Sequence, residues 1–140
     1  MVESDNGVYI AWNVFEEYAS KGSLVLRETV LYALNRLLPN KTLRTNLPAQ
    51  GIVTLQRQAA NNRYINHLLY GVPVRRGKST EIIEDLVPVY DVEVELRLSN
   101  TVNNVYLAPQ NTPLIFEQRD GTLRYKLPKL VCHQMVVIDI

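Results

Sequence analysis

With 140 residues, 46% of them hydrophobic, the chain has material for one domain with a real core and a fragment of another, but too little for a (β/α)8 barrel, which takes about 250 residues. Its formal net charge of +1 gives no long-range field to gather nucleic acid or an anionic membrane, so neither is expected as a partner. The single cysteine, Cys132, excludes an intrachain disulfide, and its apolar surroundings suit an inert buried thiol.

The polar, acidic start Met1-Val2-Glu3-Ser4-Asp5-Asn6 lacks the basic and apolar regions of a secretory signal. No run reaches the roughly 20 apolar residues of a membrane span, and a soluble, cytoplasmic protein is expected. Gly7 to Trp12 reads as a short apolar strand of the kind buried on both faces in an α/β sheet. Asn13 offers a cap for a short helix through Tyr18, which Gly22 breaks. Ser23 offers a cap for a second helix, in which Leu26, Val30, Ala33, Leu34 and Leu37 recur at helical spacing. Pro39 and Asn40 end it.

Residues 41–50 lose periodicity and read as a connection. Beyond it the period becomes two. Short strands are predicted at Ile52–Gln58, Arg63–Tyr70, Val89–Leu98, Asn104–Leu107, Leu114–Glu117, Leu123–Leu127 and Cys132–Ile138. Asp120-Gly121 is a strong hairpin signal, because both residues tolerate the positive φ of a type I′ turn. Ser79–Leu86 fits either an edge strand or a crossover loop. The fold expected is mainly β: an antiparallel sandwich of about seven strands over residues 49–140, preceded by a strand-helix remnant of an α/β domain over residues 1–48.

The strand Val89–Leu98 alternates without a break, with Tyr90, Val92, Val94, Leu96 and Leu98 on one side and Asp91, Glu93, Glu95 and Arg97 on the other. Neighbours on one strand face are about 7 Å apart, a spacing at which a carboxylate pair can flank a glycosidic bond. A general acid, however, needs burial, and a repeated row alternating with hydrophobics reads as a wetted face. Gly77-Lys78-Ser79-Thr80 echoes the end of a phosphate-binding loop, but the interval from Gly71 is one residue too long and no helix follows. Arg75, Arg76 and Lys78 leave that loop basic, as a candidate contact for an anion or a partner's carboxylate. His67 and His133 fall on apolar stripes far apart in sequence and read as core histidines. No Cys/His spacing suggests a metal, and no cofactor is expected. Trp12, Phe15, Tyr18, Tyr64, Tyr70, Tyr90, Tyr106 and Tyr125 include candidates for a sugar-stacking platform, with Tyr90 and Tyr125 facing inward by alternation.

The order Val8-Tyr9-Ile10, Phe15-Glu16-Glu17-Tyr18, Gly22, Val30 to Pro39, then Arg44-Thr45-Asn46-Leu47-Pro48 resembles the end of a β-galactosidase trimerisation domain. That domain is a glutamine-amidotransferase-like α/β unit of family 42 glycoside hydrolases. Val53 to Gln58, Arg63 to Leu69, Val105 to Pro109 and His133 to Val137 are similar to the small β-sandwich that follows it. The resemblance implies a C-terminal accessory region, with the catalytic carboxylates in a barrel that this chain does not contain, so no catalytic residue carries over. The expected partners are a further copy of the chain or a glycoside hydrolase catalytic region, met through Val8, Ile10, Leu26, Val30, Leu34 and Leu37. Carbohydrate is the rival ligand, bound by the sandwich as an autonomous module.

Overall fold

A computed structural model describes every residue from Met1 to Ile140, and the chain divides between Lys41 and Thr42 into two compact units. In the first, Val2–Glu3 (β1) and Val8–Tyr9 (β2) form an antiparallel ribbon, followed by the helices Val14–Lys21 (α1) and Leu24–Leu37 (α2). The strand predicted through Trp12 shrinks to two residues, since β1 is its sole pairing partner and no wider sheet rewards extending it. Gly22 stops α1 in the left-handed conformation, at φ 62°, with its N–H on the Tyr18 carbonyl at 2.8 Å. The predicted caps act differently. Neither Asn13 nor Ser23 places a side-chain oxygen on a helix N–H, and the Asn13 amide donates instead to the Glu16 carboxylate. Neither helix is long and apolar enough to cross a membrane.

The second unit holds the strands Leu43–Thr45 (β3), Ile52–Gln58 (β4), Arg63–Leu69 (β5), Val74–Arg76 (β6), Thr80–Ile82 (β7), Val89–Arg97 (β8), Asn104–Ala108 (β9), Thr112–Pro113 (β10), Phe116–Arg119 (β11), Thr122–Leu130 (β12) and His133–Asp139 (β13). They build an antiparallel sandwich, with one sheet in the order β10-β9-β13-β5-β4 and the other in the order β11-β12-β8-β3. β6 and β7 stand apart as a two-stranded hairpin, which resolves the ambiguous stretch after Ser79 as a short strand followed by a loop. Residues 43–45, expected inside a connection, pair with β8 as an edge strand, so the sandwich begins at Thr42 rather than at residue 49. Asp120 and Gly121 both take positive φ, 49° and 72°, as a two-residue I′ hairpin requires. That turn sets β11 at Phe116–Arg119, later than the strand predicted from Leu114.

The core lies between the sheets. Val92, Val94, Leu96, Leu123 and Leu127 of one sheet meet Leu68, Val105, Val136 and Ile138 of the other, all fully or nearly fully buried. Through this apolar layer runs one polar link. Tyr125 of β12 donates its phenol to the Asn66 side-chain oxygen on β5, and the Asn66 amide donates to the Thr54 carbonyl on β4 at 2.8 Å. Asn66 is fully buried, and no buried side-chain polar atom lacks a partner.

The even alternation of β8 fails at one point. Asp91 has φ 53° and stands between the pairs Val92–Leu127 and Tyr90–Lys129, opposite Pro128, which has no N–H to give. The inward phase changes on both strands there, from Val92 to Val89 and from Leu127 to Leu130. Tyr90, predicted inward, is therefore 60% exposed, and Lys129 lies over its ring. Asn46 mends the frayed edge by donating to the Asp91 carbonyl at 3.1 Å and accepting from the Glu93 N–H at 2.8 Å.

Burial holds the Tyr125 phenol well above its ordinary value. Because the folded state keeps the proton, this stability is complete below the unfolded value near ~10 and is lost as pH rises beyond it. Tyr125→Phe should cost about 1–3 kcal/mol at neutral pH, by stranding Asn66, and should flatten the alkaline loss of stability measured by urea melts. Pairing it with Asn66→Leu should cost less than the sum of the two single changes.

Candidate functional site

The outer face of the four-stranded sheet carries a dense array of charges of both signs. Register places Arg44 beside Glu95, Glu95 beside Arg124, and Arg124 beside Glu117, one rung of alternating sign across β3, β8, β12 and β11. Arg124 reaches the Glu95 carboxylate at 2.9 Å, and Lys126 lies 3.5 Å from Glu93 and 3.9 Å from Asp91. The carboxylate row is thus exposed and matched by cations on the next strand, the reverse of a dry site that holds a proton for catalysis. Cross-strand opposite charges of this kind add a few tenths of a kcal/mol each and fix register.

Above that face opens a groove of ≈ 560 Å³, lined among others by Asn46, Glu93, Glu95, Lys126, Ile115 and Phe116. Ile115 is 96% exposed, although its neighbours Leu114 and Phe116 pack against the core. Paired carboxylates and cations, an amide and an apolar projection can together hold a polyhydroxylated ligand. Alternation gives no sign of Ile115, which precedes β11 and sits outside any ladder. Nor does it single out Asn46, whose role depends on the kink in a strand 45 residues away.

The histidines depart from the sequence reading. His67 on β5 and His133 at the start of β13 share the outer face of the five-stranded sheet, with ring centroids 5.4 Å apart and planes within 9°. His67 Nδ1 lies 3.1 Å from His133 Nε2. Sequence separation hid the contact, since β5 and β13 become neighbours only when the sheet closes. Cys132, half-buried in the turn before His133, takes φ 59°, and no three metal-binding side chains gather anywhere in the chain.

The basic residues lie on the β6–β7 hairpin. Arg75 donates to the Lys78 carbonyl, and Arg76 pairs with the Glu84 carboxylate through Nε at 3.1 Å, so part of the loop's charge is answered within it. Of the predicted packing residues in the first unit, Val8, Ile10, Leu26 and Val30 are half-buried, while Leu34 and Leu37 are exposed. Val14 and Ala33 are the residues this unit buries. Trp12, Phe15 and Tyr18 are exposed in the first unit, and Tyr90 is exposed in the second.

No protein-family model matches the chain, and no curated protein matches its sequence. Among solved structures, the chain matches part of a glycoside hydrolase. That protein is alpha-L-fucosidase isoenzyme 2 from Paenibacillus thiaminolyticus, 60% identical, with a TM-score of 0.94 over 99% of this chain. The match takes in 21% of the fucosidase, so the chain spans about a fifth of that relative's length. A likeness to a cycloisomaltooligosaccharide glucanotransferase from Paenibacillus sp., 13% identical over 82% of this chain and 21% of that one with a TM-score of 0.45, is too distant to bear on fold or function.

If the alternation of β8 serves the core and not chemistry, Val94→Asp should abolish the cooperative thermal transition, because it buries an unpaired charge. Glu93→Gln should shift stability by less than about 1 kcal/mol. Parallel melts of the two variants decide the matter, and the opposite pattern would return the row to consideration as a site.

Proposed function

We propose that the chain is a non-catalytic accessory region of a fucosidase-type glycoside hydrolase, serving domain packing or assembly. The observation that carries this reading is the pairing of near-complete coverage of this chain with coverage of a fifth of the fucosidase. The rest of such a protein supplies both the catalytic groups and the surfaces that cover what is apolar here. The resemblance to the trimerisation region of β-galactosidases supports the same architecture and a C-terminal position within it. The 60% identity favours a fucosidase over a β-galactosidase as the parent.

The first unit supports a packing role. Val25, Leu24, Phe15, Leu38, Leu34 and Leu37 are all exposed on or beside its helices, and an amphipathic helix takes most of its stability from what it packs against. The basic β6–β7 hairpin, with Arg75, Arg76 and Lys78, belongs to the same proposal as a contact for a partner's carboxylate. Alone, the chain should release no chromophore from nitrophenyl fucoside or galactoside, and light scattering should show self-association that Leu34→Asp weakens. A strict monomer whose α2 amides exchange without protection would sink the packing role.

A second reading, carbohydrate binding, is favoured by the groove at Ile115. Isothermal titration with fucosides, galactosides and plant polysaccharides tests it. Millimolar or tighter binding that is lost in Ile115→Ala supports the module, and no heat with any sugar overturns it.

A further inference from the structure

Outside the groove and the packing faces, one cluster is left unused by everything above: the stacked histidines. In the antiparallel register His67 stands opposite Met135 and His133 opposite Leu69, which makes the two histidines diagonal neighbours on one face of adjacent, paired strands. The turn that presents His133 is held by its own N–H on the Val131 carbonyl and by the Tyr70 N–H on the Cys132 carbonyl, each at 2.7 Å. Both side chains reach solvent, so neither is consumed by the core.

Two imidazole nitrogens 3.1 Å apart fit a further role. With metal–nitrogen bonds of ~2.0–2.1 Å, neighbouring ligands stand ~2.9 Å apart at a right angle and ~3.3 Å apart at the tetrahedral angle. We propose that His67 Nδ1 and His133 Nε2 form a two-imidazole site for a divalent transition-metal ion of the Zn2+ class, with water completing the coordination. In the metal-free pair one of the facing nitrogens carries the shared proton. On binding, that proton passes through solvent to the other nitrogen of its own ring. Both rings stay neutral, and the ion accepts one lone pair from each. The exposed His133 ring turns to bring its lone pair to the ion, while the half-buried His67 ring stays close to its place.

The two ligands sit on hydrogen-bonded strands, so once one nitrogen binds, the second bond forms within the molecule and no chain segment has to be ordered. With no third side chain at hand, the affinity is lower than that of a closed four-ligand site. Occupancy clips β5 to β13 and raises the melting temperature, because the ion binds the folded chain, where the two rings are held together, more tightly than the unfolded one.

Titration of the full chain with Zn2+ by calorimetry should show one equivalent bound. His67→Gln and His133→Gln should each weaken binding at least about tenfold, and the double variant should lose little more. Cys132→Ser should bind as the parent does. Long-range proton–nitrogen spectra should move the resonances of His67 Nδ1 and His133 Nε2. Both side chains lie on the outer face, so the variants should keep the parent's melting temperature without metal, and only the zinc-induced rise should vanish. Unchanged affinity in both histidine variants, loss of binding in Cys132→Ser, or shifts confined to the other ring nitrogens would each overturn the proposal.

Discussion

The sandwich depends on the pairing of β8 with β12. These are its longest strands, and their inward residues Val92, Val94, Leu96, Leu123, Tyr125 and Leu127 form nearly half of the buried core. Each fully buried aliphatic side chain is worth about 1.5–3 kcal/mol, so this pair outweighs every surface ion pair in the chain. Hydrophobic burial is non-directional, however, and by itself does not fix how one sheet sits on the other. The Tyr125–Asn66 link adds direction, because each polar group must meet the other or go unsatisfied in a dry layer.

The same pair explains the charged exterior. Inward apolar residues at alternate positions leave the intervening ones outside, and antiparallel register sets Glu95 against Arg124 and Glu93 against Lys126. A row that resembles a catalytic constellation along one strand becomes, across four strands, a chequer of opposite charges. The kink at Asp91 ends it. The groove takes most of its polar lining from this chequer, and its apolar part includes Phe116 and Ile115, the latter a residue the core leaves behind.

The two units differ in how far they satisfy themselves. The sandwich buries a continuous core, whereas the first unit buries Val14 and Ala33 and leaves large side chains such as Phe15, Leu24 and Val25 in water. The chain spans about a fifth of the fucosidase's length, and large apolar side chains exposed together are the mark of a packing surface. The accessory role proposed above rests on the coverage of a fifth of the fucosidase, and this contrast supports it.

Amino-acid order alone determined much of the second unit. Period-two alternation marks strands because side chains on a strand point to opposite faces, and Asp120-Gly121 marks its hairpin because few residues accept positive φ. The helix stop at Gly22 follows from the same backbone freedom. Tertiary structure decided what depends on segments remote in sequence. β3 is a strand because β8 offers it an edge, and the N-terminal strand is short because nothing comparable is offered there. Tyr90 turns outward because Asp91 meets a proline with no N–H. His67 and His133 touch because β13 returns beside β5, and Asn66 is buried because Tyr125 arrives across the core to bond it. Local pattern records what each residue prefers; the closing of two sheets, which no local pattern encodes, selects its neighbours.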